Sequence, residues 1–148
     1  MAEVELRRAS VGDSGEIAAL FRLSRKAALP YLPELHTKAE DHAFFRDSVF
    51  ATCELWVAAL GSVLVGLFAF RVGWIDHLYV HPAHHGCGIG SALLLRAKET
   101  QSRLELWTFE RNLNARRFYE ARDFRCVRLT DGHDNEEHEP DALYQWTR

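Results

Sequence analysis

Between Glu54 and Val80 the chain runs through three β-type stretches with almost nothing between them. "ELWVAAL" (residues 54–60), "VLVGLFAFRV" (63–72) and "WIDHLYV" (74–80) are apolar and rich in β-branched and aromatic side chains, and their links hold only Gly61-Ser62 and Gly73. Links this short between apolar strands make an antiparallel meander. The rest of the chain has to be arranged around it. Upstream, "VELRRA" (4–9) alternates apolar and polar residues as a half-buried strand does. A helix is then expected from Asp13, with that carboxylate as cap and Glu16 as its capping-box partner, carrying Ile17, Leu20, Phe21 and Ser24 on one face. Pro30 and Pro33 end it, and a second helix is expected over 38–50, with Phe44 and Phe45 for packing.

Downstream, the segment "HPAHHGCGIGSALLLRAKE" (81–99) leads into a helix over about 88–101, whose buried side holds Leu93, Leu94 and Ala97. A strand over 104–109 follows, then a short helix over 114–124 capped by Asn114. Closing strands at 125–130 and 142–148 flank the polar loop "DGHDNEEHEP". This order predicts an α+β fold around one mixed sheet.

The 148 residues suit one domain, 1–148, long enough to bury a core, and the apolar share of 47% with 26% charged residues is ordinary for a soluble globular protein. A formal charge of −3 gives no general reason to hold nucleic acid or an anionic membrane, although Arg111, Arg116, Arg117 and Arg122 form a local basic cluster. No apolar run is long enough to span a bilayer, and "MAEVELRRAS" lacks the apolar core of a signal peptide. Cys53, Cys87 and Cys126 are widely spaced, odd in number and without a CxxC, as in a reduced, cytoplasmic protein.

Gly86, Gly88 and Gly90 alternate at the start of the expected helix. They suit a phosphate brought close to unpaired main-chain N–H groups, and they equally suit a tight turn with close helix–sheet packing. A P-loop is a poor match because Gly90-Ser91-Ala92 supplies no lysine. A dinucleotide fingerprint is a poor match: Ser91 stands where G-x-G-x-x-G needs a third glycine, and "HPAHH" separates the strand from the turn.

"LYVHPAHHGCGIGSALL" resembles the coenzyme A loop of the Gcn5-related N-acetyltransferases, with Leu78, Val80 and Pro82 at the strand positions and Gly88 and Gly90 as the paired small residues. His85 stands where that family has Arg or Gln. "NLNARRFYEARDF" is similar to the same family's second motif through Asn114, Tyr119 and Phe124, with Asp123 where glycine is usual. The resemblance implies a sandwich-type α+β fold: a central mixed, mostly antiparallel sheet of about seven strands flanked by about four helices, with two central strands, 74–80 and 104–109, splayed apart.

It further implies that acetyl-CoA is the cosubstrate. Main-chain groups of Leu78, Tyr79 and Val80 would pair with the pantetheine arm. The segment His85, Gly86, Cys87, Gly88, Ile89, Gly90 and Ser91 would hold the pyrophosphate, with Asn114 on the coenzyme arm and Tyr119 protonating the leaving thiolate. Three residues are candidates for the base that receives the amine's proton: Asp76, His77 and His36. His77, His81, His84 and His85 lack metal-ligand spacing, so no metal is expected. Cys87 reads best as a small filler, and the acidic residues Asp131, Asp134, Glu136 and Glu137 as solvated turn residues rather than a lure for a cationic amine. The implied activity is N-acetylation of a primary amine on a small molecule or peptide. The alternative is a non-catalytic acyl-CoA-binding sensor or assembly module. The resemblance also allows a homodimer, with Trp146 at its interface or in the core.

Overall fold

The computed structural model describes residues 3–148; Met1 and Ala2, the start of the N-terminal segment read above, lie outside the described residues. Seven strands form one sheet: β1 Val4–Arg8, β2 Glu54–Leu60, β3 Val63–Arg71, β4 Trp74–Val80, β5 Arg103–Phe109, β6 Arg125–Thr130 and β7 Asp141–Thr147. Their order is β1-β2-β3-β4-β5-β7-β6. Every neighbouring pair is antiparallel except β4 and β5. The meander read from the short links is β2–β3–β4, with Glu54 opposite Phe70 and Gly66 opposite Val80.

Four helices flank the sheet. Helix α1 is Ser14–Ala28, and α2 starts as Lys38–Ala43, widens into a π-helical turn over Phe44–Val49 and closes with Phe50–Thr52. Helix α3 is Ile89–Lys98 and α4 is Leu113–Glu120. Two apolar cores lie on opposite faces. Under α1 and α2, Ile17, Phe21 and Phe45 meet Leu67 and Ala69. Under α3 and α4, Leu93, Leu94 and Phe124 meet Phe68, Leu104 and Tyr144, and Trp146 is a core residue here. No helix among the described residues is long and apolar enough to cross a membrane.

Two helix starts differ from the sequence expectation. The Asp13 carboxylate does not pair with Glu16 in a box: it accepts the Ser10 N–H at 2.8 Å and two Arg7 N–H groups at 2.9 and 3.0 Å, so the box lies one turn earlier. Helix α4 is capped by Asn112, whose Oδ1 accepts the Ala115 N–H at 3.2 Å, which leaves Asn114 inside the first turn.

Two irregularities shape the centre. Ala69 faces His77 while Phe70 faces Ile75, so Asp76 is the extra residue of a bulge on β4. The bulge breaks the alternation, sending Ile75, Leu78 and Val80 to the α3 face and His77 and Tyr79 to the α1 face. Strands β4 and β5 share a single register pair, Trp74 with Glu105, and then separate.

Candidate active site

The separation of β4 and β5 opens a cavity of about 1080 Å³, whose walls include Leu78, Tyr79 and Val80 of β4, Leu106 and Thr108 of β5, and the N-terminal turn of α3. Past Trp74, the edge of β4 that faces β5 has no strand partner, so its main-chain groups border the cavity without a neighbouring strand to pair with.

The glycines at its α3 end do two different jobs. Gly86 and Gly88 have φ of +78° and +83°, the left-handed region that other residues enter only with strain, and nothing lies within 4 Å of where their Cβ atoms would be. Gly90 is different: a Cβ there would meet the Phe118 ring at 3.1 Å, so this glycine lets α4 approach α3. The first intrahelical donor of α3 is the Ala92 N–H, bound to the Gly88 carbonyl at 3.0 Å. The N–H groups of Ile89, Gly90 and Ser91 precede it, at the positive end of the helix dipole. Open space above left-handed glycines, next to free N–H donors, fits a pyrophosphate. The close-packing reading therefore applies at Gly90, while Gly86 and Gly88 leave room for the phosphate reading.

Around this turn the side chains divide. Ring nitrogen Nε2 of His85 lies 2.8 Å from the Val80 carbonyl, tying the loop back to the end of β4 while the residue lines the cavity. Cys87 is exposed and stands off the cavity wall. Asn114 is on the wall. Sequence reasoning passed over Arg122 as a site residue. Its guanidinium stacks on Phe118 at 3.7 Å, donates to Ser91 Oγ at 2.8 and 2.6 Å and to the Phe118 carbonyl at 2.8 Å. It lines the cavity beside α3's positive end and forms no ion pair with any described carboxylate. The only sequence signal was its membership of the basic cluster.

Tyr119 is buried among Phe118, Phe124 and Tyr144, at ring distances of 5.1, 5.3 and 6.5 Å, and reaches the cavity wall. Burial, helped by the neighbouring Tyr79, pushes its phenol far above the usual range, so it stays protonated at any working pH. Asp123, in the position that usually holds glycine, takes φ of +70° itself, and the Phe124 N–H still reaches the Tyr119 carbonyl at 3.1 Å. The turn is kept by strain on an aspartate.

The three candidate bases are scattered. Asp76 lines the cavity, and its carboxylate is held by Arg71 at 2.8 and 3.2 Å and by the Cys53 thiol at 3.3 Å. His77 faces the other way, into a box of Phe21, Phe44 and Phe45 at 5.9, 5.7 and 5.2 Å, and its Nδ1 is buried without a partner. Burial pulls its pKa down to about 4. His36 lies away from the cavity wall, paired with Glu136 at 2.6 Å.

The β6–β7 loop is less solvated than the sequence suggested. Glu137 pairs with Arg25 of α1 at 3.1 Å, and Glu139 with Arg111 at 2.5 Å, while Asp134 and Asn135 line the cavity. Asp131 and Asp134 remain exposed, each against His133.

The profile of the acetyltransferase (GNAT) domain family matches residues 51–126 of the chain. An uncharacterized N-acetyltransferase, YafP of Escherichia coli strain K12, is 26% identical over 132 residues, covering 86% of this chain and 85% of YafP. Among solved structures, apo YjaB of Escherichia coli superposes with a TM-score of 0.78 at 23% identity, covering 97% of each chain. The PaiA N-acetyltransferase of Thermoplasma acidophilum, in complex with coenzyme A, does so at 0.76 with 17% identity and 99% coverage of both.

Proposed function

Because the chain belongs to the GNAT acetyltransferase family, we propose that it is an acetyl-CoA-dependent N-acetyltransferase, one domain over 1–148, acting on a primary amine. The observation that carries this reading is the cleft between β4 and β5, with an anion cradle at one end and a protonated tyrosine on its wall. The name of YafP and the coenzyme in the PaiA structure support it as properties of those proteins.

Bound there, acetyl-CoA would supply a thioester carbonyl for the amine to attack and a sulfur to leave. The N–H groups of Ile89, Gly90 and Ser91 would hold the pyrophosphate, with Arg122 adding a fixed positive charge and Asn114 a polar contact to the arm. The free edge of β4 at Leu78–Val80 would align the arm as an added strand, and one of its N–H groups would stabilise negative charge growing on the carbonyl oxygen. As the C–N bond forms and the C–S bond breaks, the Tyr119 phenol gives its proton to the sulfur and recovers one from solvent. Of the three candidate bases only Asp76 is on the cavity wall. It would take the amine's proton through a water, since Arg71 already occupies its carboxylate.

The test is calorimetric titration with acetyl-CoA, followed by thiol release in the same sample across a panel of primary amines. Binding with amine-dependent release supports the proposal. Binding without release on any amine turns it toward the non-catalytic acyl-CoA sensor. Absence of binding removes the coenzyme reading.

A further inference from the structure

The two arginines on the cleft wall stand on opposite faces of the sheet. Arg122 is on the α3 and α4 side, where Ser91 and the Phe118 carbonyl take up its N–H groups. Arg128 of β6 belongs to the other side. Leu104 and Leu106 of β5, with Ala142 and Tyr144 of β7, point into the core under α3 and α4, so alternation turns Trp107 and Leu143 away from it. The register sets Trp107, Leu143 and Arg128 in one row across β5, β7 and β6. The core under α1 and α2 takes no residue from these three strands. Their outer face therefore stays open: Trp107 is 43% exposed, and Arg128 is exposed beside it.

The Arg128 guanidinium lies 5.6 Å from the centre of the Trp107 ring, and both residues line the cleft. Among the described residues it has no hydrogen-bond or ion-pair partner. The three carboxylates of the cleft wall are in the opposite condition. Arg71 holds Asp76 at 2.8 Å, the Thr130 hydroxyl and the Asn135 amide serve Asp141, and His133 lies against Asp134 at 3.1 Å. The wall thus offers a cation to an incoming ligand and has no unengaged carboxylate, among the described residues, for a second cation. A guanidinium with its fork of N–H donors free, next to an accessible indole, suits a carboxylate carried on an apolar body. The position also sets that ligand apart from the phosphate cradle. The cradle is at the start of α3, on the α3 and α4 side, and Arg128 is across the sheet. A thioester reaching through the gap between β4 and β5 would arrive there from the other face.

Resting on the acetyltransferase reading, we infer that Arg128 sets the class of acceptor: it holds the carboxylate of a primary amine that is also an acid, an apolar amino acid whose side chain lies on Trp107. Polyamines and the lysine side chains of peptides lack that carboxylate and are disfavoured.

Initial rates of thiol release from acetyl-CoA on the full chain test this with matched acceptors: phenylalanine against phenethylamine, leucine against 3-methylbutylamine, and spermidine with a lysine-containing peptide as the cationic set. The amines within a pair differ in basicity, but that difference is the same for every variant, so the readout is how the ratio of kcat/KM within a pair changes. Arg128→Gln should raise KM for phenylalanine and leucine roughly 30-fold and lower the ratio accordingly. Arg128→Lys should recover part of the loss, because it keeps the charge and gives up the fork. Calorimetric affinity for acetyl-CoA and the melting temperature should hold in both. A ratio within twofold of the parent in Arg128→Gln overturns the inference, since an arginine that only packs on Trp107 would move the melting temperature and leave the ratio alone. So does a parent protein that uses spermidine or the peptide better than the amino acids. Loss of acetyl-CoA affinity in Arg128→Gln would assign the arginine to the coenzyme and overturn it as well. If acetyl-CoA binds and no amino acid is used, the inference is refuted while the coenzyme site stands; if acetyl-CoA does not bind, the acetyltransferase reading itself has failed.

Discussion

Strands β1–β4 and strands β5–β7 are two halves of one sheet built under different constraints. The first half is paired along its length, and its central strands bury both faces: Phe68 and Phe70 point into one core while Leu67 and Ala69 point into the other. The second half buries only the face under α3 and α4, through Leu104, Leu106, Ala142 and Tyr144. Its other face carries an exposed Trp107 with Arg128 lying over it at 5.6 Å. One register pair joins the halves. Stability is therefore concentrated in the meander, and the seam between the halves is free to open into a cleft. A change in the first half should act on folding, and a change at the seam on ligands.

The largest expected effect breaks the seam and spares the meander. Gly88→Val places a branched side chain at φ of +83° and over the N–H cradle. Acetyl-CoA affinity should fall roughly 1000-fold by calorimetry, strain and blocked approach acting together. Strong binding by this variant would mean that the cradle is not where the coenzyme sits.

His77 tests the first half. The folded chain keeps it neutral down to about pH 4, whereas the unfolded chain protonates it near 6.5. Its contribution is thus fully present above pH 6.5 and is lost as pH falls through that window, by roughly 3 kcal/mol. Denaturant titrations of His77→Phe from pH 7 to pH 4 should show a markedly flatter profile than the parent. Equal slopes would mean that the aromatic box is open to water.

Tyr119→Phe returns to the seam. With the ring's packing kept, kcat should drop about 10- to 100-fold while acetyl-CoA affinity and melting temperature hold. An unchanged kcat would mean that the thiolate leaves without help. The smallest effect sits just beyond α4. Asp123→Gly relieves the left-handed aspartate at φ of +70° and should stabilise the protein by roughly 0.5–1 kcal/mol in thermal unfolding, with activity unchanged.

The meander, the helix order and the glycine turn were legible because each rests on local rules: short links, apolar periodicity and residues that tolerate positive φ. Asn114 and Tyr119 were found through a motif, and both reach the cleft wall. The caps were misread because the chain offers adjacent candidates: the Asp13 N–H that Glu16 was expected to accept goes to the Ser10 carbonyl at 2.9 Å, and Asn112 took the hydrogen bond that Asn114 was expected to make. Nothing local distinguished Asp76 from His77. The bulge put the aspartate at the cleft and turned the histidine into the opposite core.

By itself, then, the amino-acid sequence determined the elements, their order, the need for a close-approach turn at Gly88 and the family to which the chain is similar, since these depend on neighbours within a few residues. Only the tertiary structure decided that Arg122 stands at the positive end of α3, that Arg128 lies over Trp107 at the cleft, and that Glu137 fastens the loop to α1. Those outcomes follow from where two strands part and one strand bulges, and contacts between residues far apart in the chain leave no period or spacing in it to be read.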